Sequence, residues 1–123
     1  MQLAELERPR FHLVTAETIL ADLRALVGTE SPKAAESRTK VLGYLKSVLA
    51  DARLSAEAEL KATGKGTRCA MNLSAAEDEI IRAIHLFATR DVYPVDNPSG
   101  AEMISIAAVG GYGRGTLAPG SDI

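Results

Sequence analysis

Two features near the end of the chain could do chemistry together. They are the glycine pair Gly110-Gly111 and the carboxylate of Asp122, with ten residues between Gly111 and Asp122. A glycine cluster at the end of a buried strand lets backbone N–H groups come close to an anion, because no Cβ intervenes and φ can be positive. A carboxylate nearby can hold a divalent cation, usually Mg²⁺ where phosphates are handled. Two phosphate-binding templates fail on residue identity. In a GxGxxG pattern begun at Gly111-Tyr112-Gly113 the third glycine falls on Thr116. A Walker loop read onto Lys65 requires glycine where Glu59 stands, and none follows Gly113 because no lysine is placed there.

What remains is Gly-Gly, a short loop and Ser121-Asp122-Ile123. That spacing resembles the opening motif of the nucleotidyltransferase superfamily, in which a glycine pair is followed by Asp, a hydrophobic residue and a second Asp. Two carboxylates one residue apart on a strand point to one face and can share metal. The contiguous run Gly110-Gly111-Tyr112-Gly113-Arg114-Gly115-Thr116-Leu117-Ala118-Pro119-Gly120-Ser121-Asp122-Ile123 is similar, more closely, to the active-site opening of the bacterial PII uridylyltransferase/uridylyl-removing enzymes. Val92-Tyr93-Pro94 and the helical stretch before it agree with that family. The likeness is sharp over 73–123 and diffuse over 1–66.

The resemblance implies transfer of UMP from UTP to a tyrosine of the PII signalling protein, with Mg²⁺ as cofactor. It also implies a hydrolytic HD domain and C-terminal domains that sense glutamine, neither of which is in this sequence. Carried over residue by residue, Gly110 and Gly111 contact the triphosphate, Asp122 is the catalytic carboxylate and metal ligand, and Arg114 and Ser121 are phosphate neighbours. Tyr112 is not carried over, and packing is open to it. The second carboxylate belongs after Ile123, so the expectation is the truncated opening of an enzyme, inactive by itself. A glutamine synthetase adenylyltransferase has a similar loop and is the nearest alternative. A non-enzymatic helical interaction module is the other, and Pro119-Gly120-Ser121-Asp122 is also good turn chemistry.

Composition supports a globular chain and little else. The 123 residues are 46% hydrophobic and 24% charged, with 4% aromatics and no Trp, so a core would be built of Ala, Leu, Ile and Val. A net charge of −2 gives no argument for nucleic acid or a membrane surface. The single cysteine, Cys69, excludes an internal disulfide and a CxxC metal site. With only Arg68 beside it, Cys69 reads as a small packed side chain rather than a reactive thiol. No apolar run has the length of a spanning helix and no signal segment is visible, so a soluble, cytoplasmic setting is expected.

The elements that must position the motif are mainly helices. Thr15 can cap a helix whose stripe is Ile19, Leu20, Leu23, Leu26 and Val27, with Gly28 ending it. Pro32 stands at the first position of a long helix over about 33–62, striped by Val41, Leu45, Val48, Leu49, Ala52 and Ala56. Residues 63–67 read as a linker. Ser74 and Glu77 form a capping box for a helix to about Arg90, with Ile80, Ile81, Ile84, Phe87 and Ala88 on one face. His85 lies beside that face, and with no other His or Cys nearby it is read as an edge polar residue; His12 is equally isolated. Residues 91–101 form a connector, and 103–109 a buried strand. The predicted fold is α+β: a helical region over 1–66, then the helix, strand and glycine loop that open a nucleotidyltransferase (polymerase beta-like) domain over 67–123.

Overall fold

The computed structural model describes residues 10–96 and 105–115. The chain folds into three helices, each packed against the other two: α1 (Ala16–Val27), α2 (Ala35–Thr63) and α3 (Gly66–Phe87). A π-helical turn (Ala88–Val92) extends α3, and a single helical turn, α4 (Gly110–Gly113), follows later in the chain.

The ends of α1 and α2 follow local chemistry. Thr15 has extended backbone and its Oγ1 accepts from the Thr18 amide at 3.3 Å, which satisfies one of the N–H groups that a helix start leaves unpaired. Gly28 and Gly64 take positive φ, 58° and 69°, and their amides donate back to the Arg24 and Leu60 carbonyls. The long helix starts two residues later than its pattern suggests. Pro32 lies in the turn before it, where the Ala34 amide bonds the Ser31 carbonyl at 3.0 Å.

The third helix begins eight residues before the Ser74–Glu77 box. Residues 66–73 are helical because Cys69 and Leu73 are buried against Ala56 of α2, a tertiary contact that local capping signals do not register. The linker accordingly shrinks to Gly64 and Lys65, and Ser74 and Glu77 are buried inside the helix rather than placed at its start. The core has two parts. Ile19, Leu20, Leu23 and Val27 of α1 meet Ile80, Ala83 and Phe87 of α3, with Val41, Tyr44, Leu45, Val48 and Leu49 of α2 closing over them. Ala56, Cys69, Leu73 and Tyr112 make the second part.

The α+β expectation is overturned. No strand or sheet is present among the described residues, and residues 105–109 are irregular and exposed, with Ile106 at 58% and Val109 at 79%. A short apolar run becomes a strand only when a neighbour completes its ladder, and no such neighbour is among the described residues. Residues 103 and 104 of the expected strand lie outside them. Among the described residues no helix is long and apolar enough to cross a membrane.

Polar contacts fasten the helices. Arg24 grips Asp91 with two hydrogen bonds, Nε to Oδ2 at 2.7 Å and Nη2 to Oδ1 at 2.9 Å. The guanidinium holds the Asp91 carboxyl below its usual range, so the stabilisation is present above that range and is lost as pH falls from there through the lowered folded-state value. The Tyr44 hydroxyl donates to Asp22 Oδ2, and its pKa is pushed up to about 12, first by burial and then by that carboxylate.

Glu77 is only 2% exposed, and burial raises its carboxyl pKa against the opposing charge of Arg53. A raised folded-state pKa means that ionisation favours the unfolded chain as pH climbs through the usual glutamate range, about 4.3. Glu77→Gln is therefore expected to raise the denaturant midpoint at pH 7, with the gain disappearing below that range. Equal midpoints of the two proteins at pH 7 would contradict this.

Candidate functional site

The glycine stretch forms a compact turn. Val109 is extended (φ −132°, ψ 169°), Gly110 switches to φ +63°, and one helical turn follows. The Gly113 amide donates to the Val109 carbonyl at 2.8 Å, Arg114 to Gly110 at 3.1 Å, and Gly115 to Tyr112 at 2.9 Å. Gly115 has φ +72°. These glycines are required for different reasons. At Gly110 the left-handed backbone itself disfavours other residues, by about 1–2 kcal/mol. At Gly113 the obstacle is space, because a Cβ would sit 2.7 Å from the Ala108 carbonyl oxygen.

Tyr112 fastens this turn to the helices. Its ring is buried, 9% exposed, among Ala56 of α2 and Cys69 and Leu73 of α3. Its hydroxyl donates to Asp78 Oδ1 at 2.5 Å, at the solvent edge of α3. Burial, then the hydrogen bond to Asp78 and the charges of Asp78 and Glu77, raise the phenol well above its ordinary range, so it stays protonated as the donor. Cys69 is equally packed; burial, then the charges of Glu57 and Glu59, push its thiol up and away from reactivity.

A groove of about 670 Å³ runs beside the turn. One wall is α3, with Ala75, Asp78, Arg82 and His85 at helical spacing; the other is residues 106–109. Arg82 bonds Glu79 at 3.3 Å, and Glu79 also accepts the Ala16 amide at 2.8 Å. His85 thus stands at the edge of the packed face, as its spacing suggests. Its Nδ1 is buried with no hydrogen-bond partner among the described residues.

Of the predicted site residues, Gly110, Gly111 and Arg114 come together in the turn, with Gly110 and Arg114 exposed. Ser121 and Asp122 lie outside the described residues. Among the described residues no group of three or more His, Cys, Asp or Glu could hold a metal ion. The sequence reading missed Asp78 as a tertiary partner. Asp78 lies on α3, and no local periodicity links it to Tyr112, 34 residues away. The signal available was Tyr112 itself, a large ring inside a glycine cluster, where a packing partner is required.

The chain is thus a helical scaffold that carries a glycine turn on a tyrosine anchor. Its sequence relatives are uridylyltransferases. Over 105 residues it is 43% identical to the bifunctional uridylyltransferase/uridylyl-removing enzyme of Bradyrhizobium sp. (strain ORS 278) and 42% identical to that of Bradyrhizobium sp. (strain BTAi1 / ATCC BAA-1182). The match covers 85% of this chain, which spans 11% of the length of these relatives. This stretch of chain is therefore homologous to part of the bifunctional uridylyltransferase/uridylyl-removing enzymes, and the likeness extends well beyond the glycine run. No protein-family model and no solved structure matches the chain.

Gly113→Ala is expected to open the turn, since the added Cβ would meet backbone, the Ala108 carbonyl oxygen at 2.7 Å, where no side-chain rotation can relieve it. Amide exchange should then accelerate at positions 113–115 while α1 and α3 keep their protection. A turn that stays protected in the variant would show that the close approach at Ala108 does not hold it.

Proposed function

We propose that this chain is part of a uridylyltransferase that moves UMP from UTP to a tyrosine of the PII signalling protein, in an enzyme that also removes it. The observation that carries this reading is the 43% identity over 105 residues to a protein of that printed activity. The contiguous glycine run supports the uridylyl over the adenylyl alternative, and the length of the match favours an enzyme over a helical interaction module.

In this reading Gly110 and Gly111 lie against the triphosphate, where the missing Cβ atoms allow close approach. Arg114, exposed at the end of the turn, and Ser121 serve as phosphate neighbours. Asp122 would hold Mg²⁺, which would supply positive charge to the triphosphate. The reaction joins the tyrosine oxygen to the α-phosphorus of UTP as the bond to pyrophosphate breaks. Glutamine acts through domains beyond these residues, and the setting is cytoplasmic. The 123 residues by themselves supply Asp122 without a second carboxylate one residue on, and so lack the usual two-carboxylate metal site.

Two outcomes test this. In the complete enzyme with UTP, Mg²⁺ and PII, Asp122→Asn should lower uridylylation by at least about 100-fold, the scale of losing a charge-stabilising group. Undiminished activity would sink the metal-ligand assignment. The 123-residue polypeptide assayed alone should give no label transfer from UTP to PII, and measurable transfer would overturn the proposed need for the second carboxylate.

A further inference from the structure

The glycine turn closes on itself through three backbone hydrogen bonds, none of which reaches the helices. Four of the six residues from 110 to 115 are glycine, so the backbone itself does little to fix where the turn points. Tyr112 is the buried residue of the turn, and it is held at two points. The ring sits between Ala56, Cys69 and Leu73, and the hydroxyl reaches Asp78. Cys69 and Asp78 are nine residues apart, about 13 Å along α3 at 1.5 Å per residue. The ring contact seats the side chain, and the hydroxyl bond to Asp78, five residues beyond Leu73 on the same helix, adds a directional contact. Gly111 precedes Tyr112 directly, so the orientation of Tyr112 bears on that of the glycine pair.

We propose that Tyr112 and Asp78 are positioning residues for the nucleotide: their hydrogen bond orients the glycine turn on the helical scaffold so that Gly110 and Gly111 face the triphosphate. This rests on the uridylyltransferase reading. Neither residue touches substrate in the proposal, and both act through the turn. The helices are thereby part of the nucleotide site, although they supply no group to it.

The test is steady-state kinetics of the complete enzyme at varied UTP, with saturating Mg²⁺ and PII. Tyr112→Phe keeps the ring and loses only the hydroxyl, and Asp78→Ala removes the acceptor from a solvent-exposed position. Each is expected to raise the KM for UTP about 3- to 10-fold, the range of one hydrogen bond, with kcat within about two-fold. The double variant should be no worse than the weaker single, because both remove the same bond. Amide exchange at positions 113–115 should rise in Tyr112→Phe while exchange in α1 to α3 is unchanged, which separates loss of orientation from loss of fold. An active wild type with an unaltered KM in Tyr112→Phe, or additive effects in the double variant, would overturn the positioning role. A wild type that does not turn over UTP would instead overturn the function on which it rests, and the positioning role with it.

Discussion

Three consecutive carboxylates on α3, Glu77, Asp78 and Glu79, set how the rest of the chain lies on it. Neighbouring side chains on a helix diverge by about 100°, so the three cannot serve one partner. Glu77 points into the buried interior and feels the charge of Arg53 on α2. Asp78 accepts the Tyr112 hydroxyl, and Glu79 accepts the Ala16 amide at the start of α1. A rotation of α3 by one residue would misdirect all three at once. Glu79 also does what a local cap cannot, because Thr15 reaches only one of the unpaired amides of α1.

Glu59 plays the matching part on α2. It is buried, yet its two oxygens meet the Phe11 amide at 2.6 Å, Arg68 Nε at 2.8 Å and Asn72 at 3.4 Å. Burying an unpaired carboxylate costs several kcal/mol, and three donors are what make the position tolerable. The two glutamates together pin residues 11 and 16, so the segment leading into α1 is held by α2 and α3 rather than by apolar contact alone. Alanine makes this possible. Ala16, Ala56 and Ala83 are fully buried, which lets helix backbones come close in a chain with few aromatic side chains to fill wider gaps.

Much of this was legible locally, and the exceptions share one cause. The stripe of Ile19, Leu20, Leu23 and Val27, the caps at Thr15 and Gly28 and the extent of α2 followed from spacing and termini, because propensity, capping and burial agree there, whereas Leu26 of the expected stripe is exposed. The start of α3 did not, since Cys69 and Leu73 make helix of a stretch that reads as linker only through contact with Ala56, more than a dozen residues away. The run 103–109 carries strand-forming residues, but pairing is a property of neighbours and is absent among the described residues. The positive-φ backbone of the glycine turn was legible because residue type alone limits what such a backbone can do. Its fastening was not, since the Tyr112–Asp78 contact joins elements 34 residues apart.

A tyrosine inside a glycine run resolves a conflict between two physical demands. Close approach to an anion needs residues without Cβ, and a glycine-rich segment carries extra chain entropy that ordering must overcome. That entropy opposes ordering at all four glycines between 110 and 115, even where, as at Gly110 and Gly113, other residues do not fit. Burial of one large ring returns about 2–3 kcal/mol. The hydroxyl bond to Asp78 adds about 1 kcal/mol. Both contributions act alongside the backbone hydrogen bonds that close the turn. A residue in place of Tyr112 that lacked the ring would keep the glycine backbone and lose both contacts to the helices.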